Sequence, residues 1–263
     1  MLLTIDNLSI SYDSNVNPTV KNINFNLDNG EILAIVGESG SGKTTVIRSI
    51  LGVLPPTGKV ISGKIVFEEQ NILNYTAKNW RNIRGKNISM IFQDCGNMLN
   101  PIQNIGKQFI EYIKTHTKKT TVEATELAIE MLKRMNLPNP ERIMKAYPFE
   151  LSGGMRQRVG IAMAITFSPK LLLADEPTSA LDVTTQAQIV KELLSIRQKD
   201  NMSMIIVTHN IGVAAYISDK IIVMKNGEII DYGKTKDILQ KSTNPYTKDL
   251  LAAVPQIGGK RYV

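Results

Sequence analysis

The sequence predicts an α/β fold, and three observations carry that prediction. Four short apolar runs, Ile32–Val36, Leu171–Ala174, Met204–Val207 and Ile221–Met224, each end in a polar or glycine-containing turn. Such runs are how strands buried on both faces of a parallel sheet read. Between them lie apolar residues at helical spacing. The first 35 residues differ. There apolar and polar residues alternate, the period of half-exposed antiparallel strands.

The elements follow in order along the chain. Leu3-Thr4-Ile5 and Leu8–Tyr12 alternate, and residues 60–68 continue that style. A glycine-rich loop follows Ile32–Val36 and leads into a helix predicted over Thr44–Leu54. Residues 94–150 carry few strand signals and are predicted mostly helical, an insertion between sheet elements. Within it Ala124, Leu127, Ala128, Met131, Leu132 and Met135 line one helix face, a core stripe. Pro138, Pro140 and Pro148 punctuate the end of the insertion. An apolar helix is expected to begin near Met155. Ile189, Val190, Leu193 and Leu194 predict another near 183–199. A β-like stretch after residue 220, a small helix over Thr235–Gln240 and a tail complete the chain.

Composition narrows the functional classes. With 263 residues, 43% hydrophobic and 21% charged, the chain has enough apolar mass for a globular core. One cysteine, Cys95, excludes an internal disulfide framework and an all-cysteine metal cluster. The N-terminus lacks the basic and apolar regions of a signal peptide. No apolar run reaches the roughly 18 to 20 residues that span a bilayer, so any service to a membrane is expected to be by docking. The net charge of +7 is scattered. It reads as a solvated surface, with no aromatic-interleaved basic motif for nucleic acid.

Three motifs carry chemistry. The first is Gly37, Glu38, Ser39, Gly40, Ser41, Gly42, Lys43 and Thr44, with Thr45 following. This is the G-x-x-x-x-G-K-T pattern, and its setting between a strand and a helix makes it a phosphate-binding loop. Its glycines turn backbone N–H groups inward around phosphate oxygens, and the helix N-terminus adds partial positive charge. Lys43 reaches the β- and γ-phosphates of ATP, and the Thr44 hydroxyl ligates Mg²⁺. The second motif is Leu171–Glu176, an apolar strand ending in two acids. Clustered carboxylates repel, so they are costly for stability alone. Paired with a phosphate loop, Asp175 holds Mg²⁺ and Glu176 accepts a proton from the attacking water. The third is Leu151-Ser152-Gly153-Gly154-Met155-Arg156-Gln157-Arg158. Ser152, Gly153 and Gly154 at a helix N-terminus form a second anion site. A phosphate loop and a separate donor-rich helix end in one chain make sense if two chains clamp ATP between them.

At this point the sequence resembles the ABC-type ATPases, over nearly its whole length. The L-S-G-G-x-x-Q-R signature is highly specific to them. The resemblance implies a cassette with a mixed central sheet, an antiparallel β subdomain and an inserted helical subdomain. It forms a single domain over 1–263, with a core of about 1–93 and 159–235, a helical part of about 94–158 and a tail from 236 to 263. It also implies roles residue by residue. Tyr12 matches the aromatic that stacks on adenine. Gln93 matches the glutamine that contacts Mg²⁺ and water and senses the transmembrane partner. Ser179-Ala180-Leu181-Asp182 matches the loop crossing the dimer interface, and His209 the switch histidine at the γ-phosphate. His116 has no such register and reads as structural. The partners implied are a second ATPase subunit, identical or similar, two transmembrane permease subunits and, indirectly, an extracytoplasmic binding protein. The place implied is the cytoplasmic face of the membrane, peripherally, with the insertion receiving the permease's coupling helices.

Finer matches point to a subfamily. Pro177–Ile189, Tyr147-Pro148-Phe149-Glu150 and the tail Asn244-Pro245-Tyr246-Thr247-Lys248-Asp249-Leu250-Leu251 look like the dipeptide, oligopeptide and nickel importers. Asn244 stands where that group usually has histidine. Many peptide members continue into a cysteine-bearing extension linked to an iron–sulfur cluster. No cysteine follows the tail here, so no cluster is expected, and the short tail leans toward the nickel or metallophore members. Cys95 sits where the group more often has proline, and reads as a small neutral loop residue. An exporter ATPase fits the tail and the 183–189 segment less well. A DNA-repair or ribosomal ABC ATPase would need a coiled coil, zinc modules or two cassettes, and a phosphate-loop kinase or GTPase lacks the signature.

Overall fold

The computed structural model describes residues 1–12, 17–93, 95–179, 181–253, 256–257 and 260–261. Ala180, named above, lies outside the described residues. In chain order the elements are β1 (Leu3–Tyr12), β2 (Val20–Leu27), β3 (Ile32–Val36), α1 (Lys43–Leu51), β4 (Gly58–Phe67), β5 (Gln70–Asn71) and α2 (Ala77–Ile83). Next come β6 (Ile88–Ile91), α3 (Cys95–Met98), α4 (Ile105–His116), α5 (Thr121–Arg134), α6 (Pro140–Lys145), α7 (Gly153–Ile165), β7 (Leu171–Asp175) and α8 (Val183–Asp200). The chain closes with β8 (Ser203–Thr208), α9 (Ile211–Ile217), β9 (Lys220–Lys225), β10 (Glu228–Lys234), α10 (Thr235–Lys241), α11 (Pro245–Ala252) and the two-residue strands β11 (Gln256–Ile257) and β12 (Lys260–Arg261). Two compact units result, Met1–Asn82 with Ser203–Val263, and Ile83–Met202.

The first unit holds two kinds of sheet, as its sequence patterns require. In β3 every residue is buried, and it pairs in parallel with β8 on one side and β9 on the other. β10 adds antiparallel to β9, so this sheet is mixed. A strand covered on both faces has no polar face to display, which is why Ile32–Val36 is uniformly apolar. The N-terminal strands form an antiparallel sheet in the order β2-β1-β4-β5. In β2 the burial alternates along Asn22-Ile23-Asn24-Phe25-Asn26-Leu27, the period-two signature of one wet face. The two N-terminal apolar runs prove to be one strand, β1, with a register shift between Ile5 and Leu8, where Asn7 takes a positive φ.

Two features of the first unit differ from the sequence expectation. The helix after the phosphate loop stops at Leu51 and not Leu54, because Gly52 adopts the left-handed conformation and its N–H closes on the Arg48 and Ser49 carbonyls. The tail contains a helix of its own, α11, which packs on α9. Tyr246 and Leu251 of α11 join Ala34, Val36, Ile211, Ala214 and Val223 in one buried cluster.

The second unit is mainly helical. β6 and β7 pair in parallel from Ile88↔Leu171 to Ile91↔Ala174. β6 is only four residues long and includes Ser89, so its strand signal was too weak to single out. The predicted stripe on α5 is the packed face: Ala124, Ala128, Met131, Leu132 and Met135 are buried and Leu127 is half-buried. α5 opens with a capping box in which Thr120 and Glu123 satisfy each other's backbone N–H groups. It packs against α4, α6 and α7. α7 starts at Gly153, two residues ahead of the expected Met155, because Ser152 caps it. Among the described residues no helix is long and apolar enough to cross a membrane.

Candidate functional site

The phosphate loop is built where β3 ends and α1 begins. Lys43 is buried, and its ammonium donates to the carbonyls of Gly37 (2.8 Å) and Glu38 (2.7 Å) and lies 3.4 Å from Ser41 Oγ. The lysine therefore holds the loop wrapped around its own head group. Gly37, at φ +151°, sits so close to the β9 backbone that a Cβ there would lie 2.2 Å from the Met224 carbonyl oxygen. Gly40, at φ +81°, faces open space. α1 begins at left-handed Gly42 with no side chain capping its first N–H groups. An anion would complete that helix end. A curled loop, a buried ammonium and a helix start without a side-chain cap fit the phosphates of ATP.

Tyr12 and His209 flank this loop within the same unit. The Tyr12 hydroxyl is 3.0 Å from Thr45 Oγ1, and its ring lies over Gly58, where a Cβ would be 2.8 Å from Tyr12 Cε1. This puts an aromatic ring beside the first turn of α1. Thr208 pairs with Val36, so His209 leaves β8 at the same sheet edge where Gly37 leaves β3. His209 is exposed, and Asn210 immediately caps α9 by accepting the N–H groups of Gly212 and Val213. The strand end and the cap together fix where the histidine emerges.

The two acids lie at the carboxyl end of β7 in the second unit. Asp175, the last residue of β7, is 1% exposed. Glu176 follows at φ +46°, an uncommon conformation for a glutamate. Its carbonyl accepts the N–H and the hydroxyl of Ser179 (3.1 and 3.0 Å), which locks the turn. Such strain persists when the surroundings over-determine it, commonly at functional sites. The parallel register that sets Ile91 beside Ala174 brings Gln93 to this edge, and its Nε2 donates to Glu176 Oε2 at 3.4 Å. Carboxylate and amide groups at this edge carry oxygen donors, the kind Mg²⁺ prefers.

The signature forms the exposed start of α7. Ser152 Oγ accepts the Met155 N–H at 3.3 Å, and its own hydroxyl proton stays available to donate. Ser152 and Gly153 are exposed, and Gly154 abuts Thr185, where a Cβ would be 2.8 Å from Thr185 Cγ2. Thr185 bonds in turn to Asp182, the cap of α8. The hydroxyl and N–H of Thr185 hold the exposed Asp182 carboxyl below its ordinary range.

Three supports escaped the sequence reading. Buried Gln157 of the signature donates from Nε2 to the Pro177 carbonyl at 2.8 Å, tying α7 to the segment after the acids. Arg158 pairs with buried Glu192 of α8 at 3.4 Å, and Asn136 donates to the other Glu192 oxygen. Tyr246 accepts the Glu38 N–H of the phosphate loop at 3.0 Å. The first two could have been suspected from polar residues on apolar helix faces. The third had no local signal. Cys95 is buried against Gly160 and its thiol donates to the Phe92 carbonyl at 3.1 Å, which is how a small structural residue sits.

A phosphate loop, a strand ending in two acids and a signature helix define an ATPase cassette. The ABC transporter family profile matches residues 20–179, and the chain belongs to that family. Its cassettes couple ATP hydrolysis to transport. Among relatives, the oligopeptide transport ATP-binding protein OppD of Bacillus subtilis is 43% identical over 259 residues, 97% of this chain and 72% of the relative. The dipeptide transport ATP-binding protein DppD of Haemophilus influenzae is 42% identical over 257 residues, 97% of this chain and 78% of the relative. In structure the chain is similar to the dimeric ATP-binding cassette MJ0796 bound to ADP and Pi, with TM-score 0.78 and 29% identity over 89% of this chain and 99% of that one. It is also similar to cbiO1 of Clostridium perfringens, part of the cbiONQ transporter complex, with TM-score 0.77 and 30% identity over 91% of each chain.

Proposed function

We propose that this chain is the ATP-hydrolysing subunit of an importer of peptides. The observation that carries the reading is the likeness to oligopeptide and dipeptide transport ATP-binding proteins over 97% of the chain. It is supported by the tail Asn244–Leu251 and the Pro177–Ile189 segment.

The geometry within each unit supports the proposed roles. Backbone N–H groups of Gly37 to Thr45 and the α1 N-terminus hold the ATP phosphates, and Lys43 neutralises them. Tyr12 packs on adenine. Thr44, Asp175 and Gln93 hold Mg²⁺, which supplies charge stabilisation on the phosphate oxygens. Glu176 takes the proton of the attacking water, Gln93 orients that water, and His209 contacts the γ-phosphate. Ser152, Gly153 and Gly154 are proposed to close the site of a second cassette, identical or similar, an arrangement supported by the dimeric cassette among the structural relatives. Two membrane permeases, served from the cytoplasmic face, and an outer binding protein complete the proposed assembly.

The test is uptake in cells whose copy of the chain carries Lys43→Ala. Uptake of labelled di- and oligopeptides is expected to fall to background while labelled nickel uptake is unchanged. Retained peptide uptake with lost nickel uptake would replace the peptide reading with a nickel or metal-chelate one.

A further inference from the structure

We propose that Tyr246 is a positioning residue for the phosphate loop, and that helix α11 sets the loop's shape through it. The peptide unit joining Gly37 to Glu38 is held at both ends. Its carbonyl accepts from Lys43 Nζ at 2.8 Å, and its N–H donates to the Tyr246 hydroxyl at 3.0 Å. The next carbonyl, that of Glu38, also accepts from Lys43 at 2.7 Å. Rotation of this peptide unit would break both bonds and turn the following N–H groups away from the loop's interior. A loop of N–H groups binds an anion only while they converge. Tyr246 thus removes a competing loop conformation, which is preorganisation.

The tyrosine is itself firmly placed. Asn244 caps α11 by accepting the Tyr246 and Thr247 N–H groups at 3.0 and 3.4 Å, and its Nδ2 donates to the Ile230 carbonyl at 3.2 Å. Thr247 is fully buried and donates to Asp231 Oδ2 at 3.1 Å, an oxygen that also accepts from Ser242. The Tyr246 ring lies in the cluster beneath β3, with Lys225 Nζ 4.4 Å from its centroid. The residues 244–247 therefore form a built anchor whose one outward polar group reaches the loop.

The proposal rests on the loop binding nucleotide and is independent of the cargo. The experiment compares the full chain with Tyr246→Phe, which deletes the hydroxyl and keeps the ring, and with Thr247→Val, which loosens α11 without touching the loop. MANT-ADP titration, amide hydrogen exchange at Glu38 and thermal unfolding are read together. Tyr246→Phe is expected to speed Glu38 exchange and weaken MANT-ADP binding about threefold to tenfold, the size of one net hydrogen bond, with little change in Tm. Thr247→Val is expected to lower Tm with affinity kept. Unchanged Glu38 exchange or unchanged affinity in Tyr246→Phe overturns the proposal, as does an affinity loss in Thr247→Val equal to that in Tyr246→Phe. A wild-type chain that failed to bind MANT-ADP would overturn the phosphate-loop reading and the proposal with it.

Discussion

Replacing Gly37 by alanine tests the packing of the phosphate loop directly. The added Cβ would lie 2.2 Å from the Met224 carbonyl oxygen and 3.0 Å from Ser41 Oγ. A carbon and an oxygen need roughly 1 Å more than the first of these distances. The oxygen belongs to β9, whose Met224 pairs with Ile229 of β10, and β9 is itself paired with β3. The sheet resists moving, so the loop must move. Overpacking of this kind costs about 1–3 kcal/mol. A φ of +151° adds strain for an L residue, again about 1–3 kcal/mol. A sum near 4 kcal/mol lowers Tm by about 8–16 °C for a chain of this size. The same shift displaces the carbonyl that anchors Lys43, so nucleotide binding falls as well. Gly40→Ala is the control. It has a positive φ but nothing within 4 Å, so only the backbone penalty of about 1–2 kcal/mol remains. Thermal unfolding and MANT-ADP titration of both variants read the difference. Equal Tm values for the two, or a Gly37→Ala chain that unfolds and binds like wild type, would refute the reasoning.

Three further outcomes are expected. Glu176→Gln keeps the shape of the turn but removes the base, so steady-state ATP hydrolysis should drop by about 10²–10⁴-fold while ATP still binds; a normal turnover rate would remove Glu176 from that role. Arg158→Met leaves the Glu192 carboxylate buried with Asn136 as its remaining partner, and should cost about 3 kcal/mol, seen as a Tm lower by about 6–12 °C. An unshifted Tm would mean that the pair contributes nothing. His116, packed against Tyr112 and Phe167, is held below the ordinary histidine pKa by burial and then by Lys86. The unfolded chain therefore binds the proton more readily, so stability is intact above about pH 6.5 and declines as pH falls below it toward the folded value. His116→Phe should flatten that part of the Tm-against-pH curve, and an equal acid slope in both proteins would rule His116 out as its source.

Much of this was legible before any coordinates. The run Ile32–Val36 is the strand β3 to the residue, and the stripe from Ala124 to Met135 is the buried face of α5. Both patterns are local, since burial on two faces removes polar residues and burial on one helix face imposes a 3.6-residue period. The loop from Gly37 to Thr44 and the acids Asp175 and Glu176 are contiguous motifs, so they too stand out locally in the sequence. β6 was not, because four residues with a serine among them hold too little pattern. The helix α11 was read as a motif and not as an element, since Pro245 at its first turn looks like a break until Asn244 is seen to cap it.

The sequence alone determined that this chain carries the machinery of an ATPase cassette, because each motif is contiguous and its chemistry depends on neighbouring residues. Only the tertiary structure decided what holds the machinery in place. Tyr246 meets Glu38 across 208 residues, and Gly37 must lack a side chain because Met224 lies against it. Gln157 reaches Pro177, and the parallel register of β6 with β7 brings Gln93 to Glu176. These contacts depend on how distant segments pack, and periodicity along the chain carries no record of which distant segments meet.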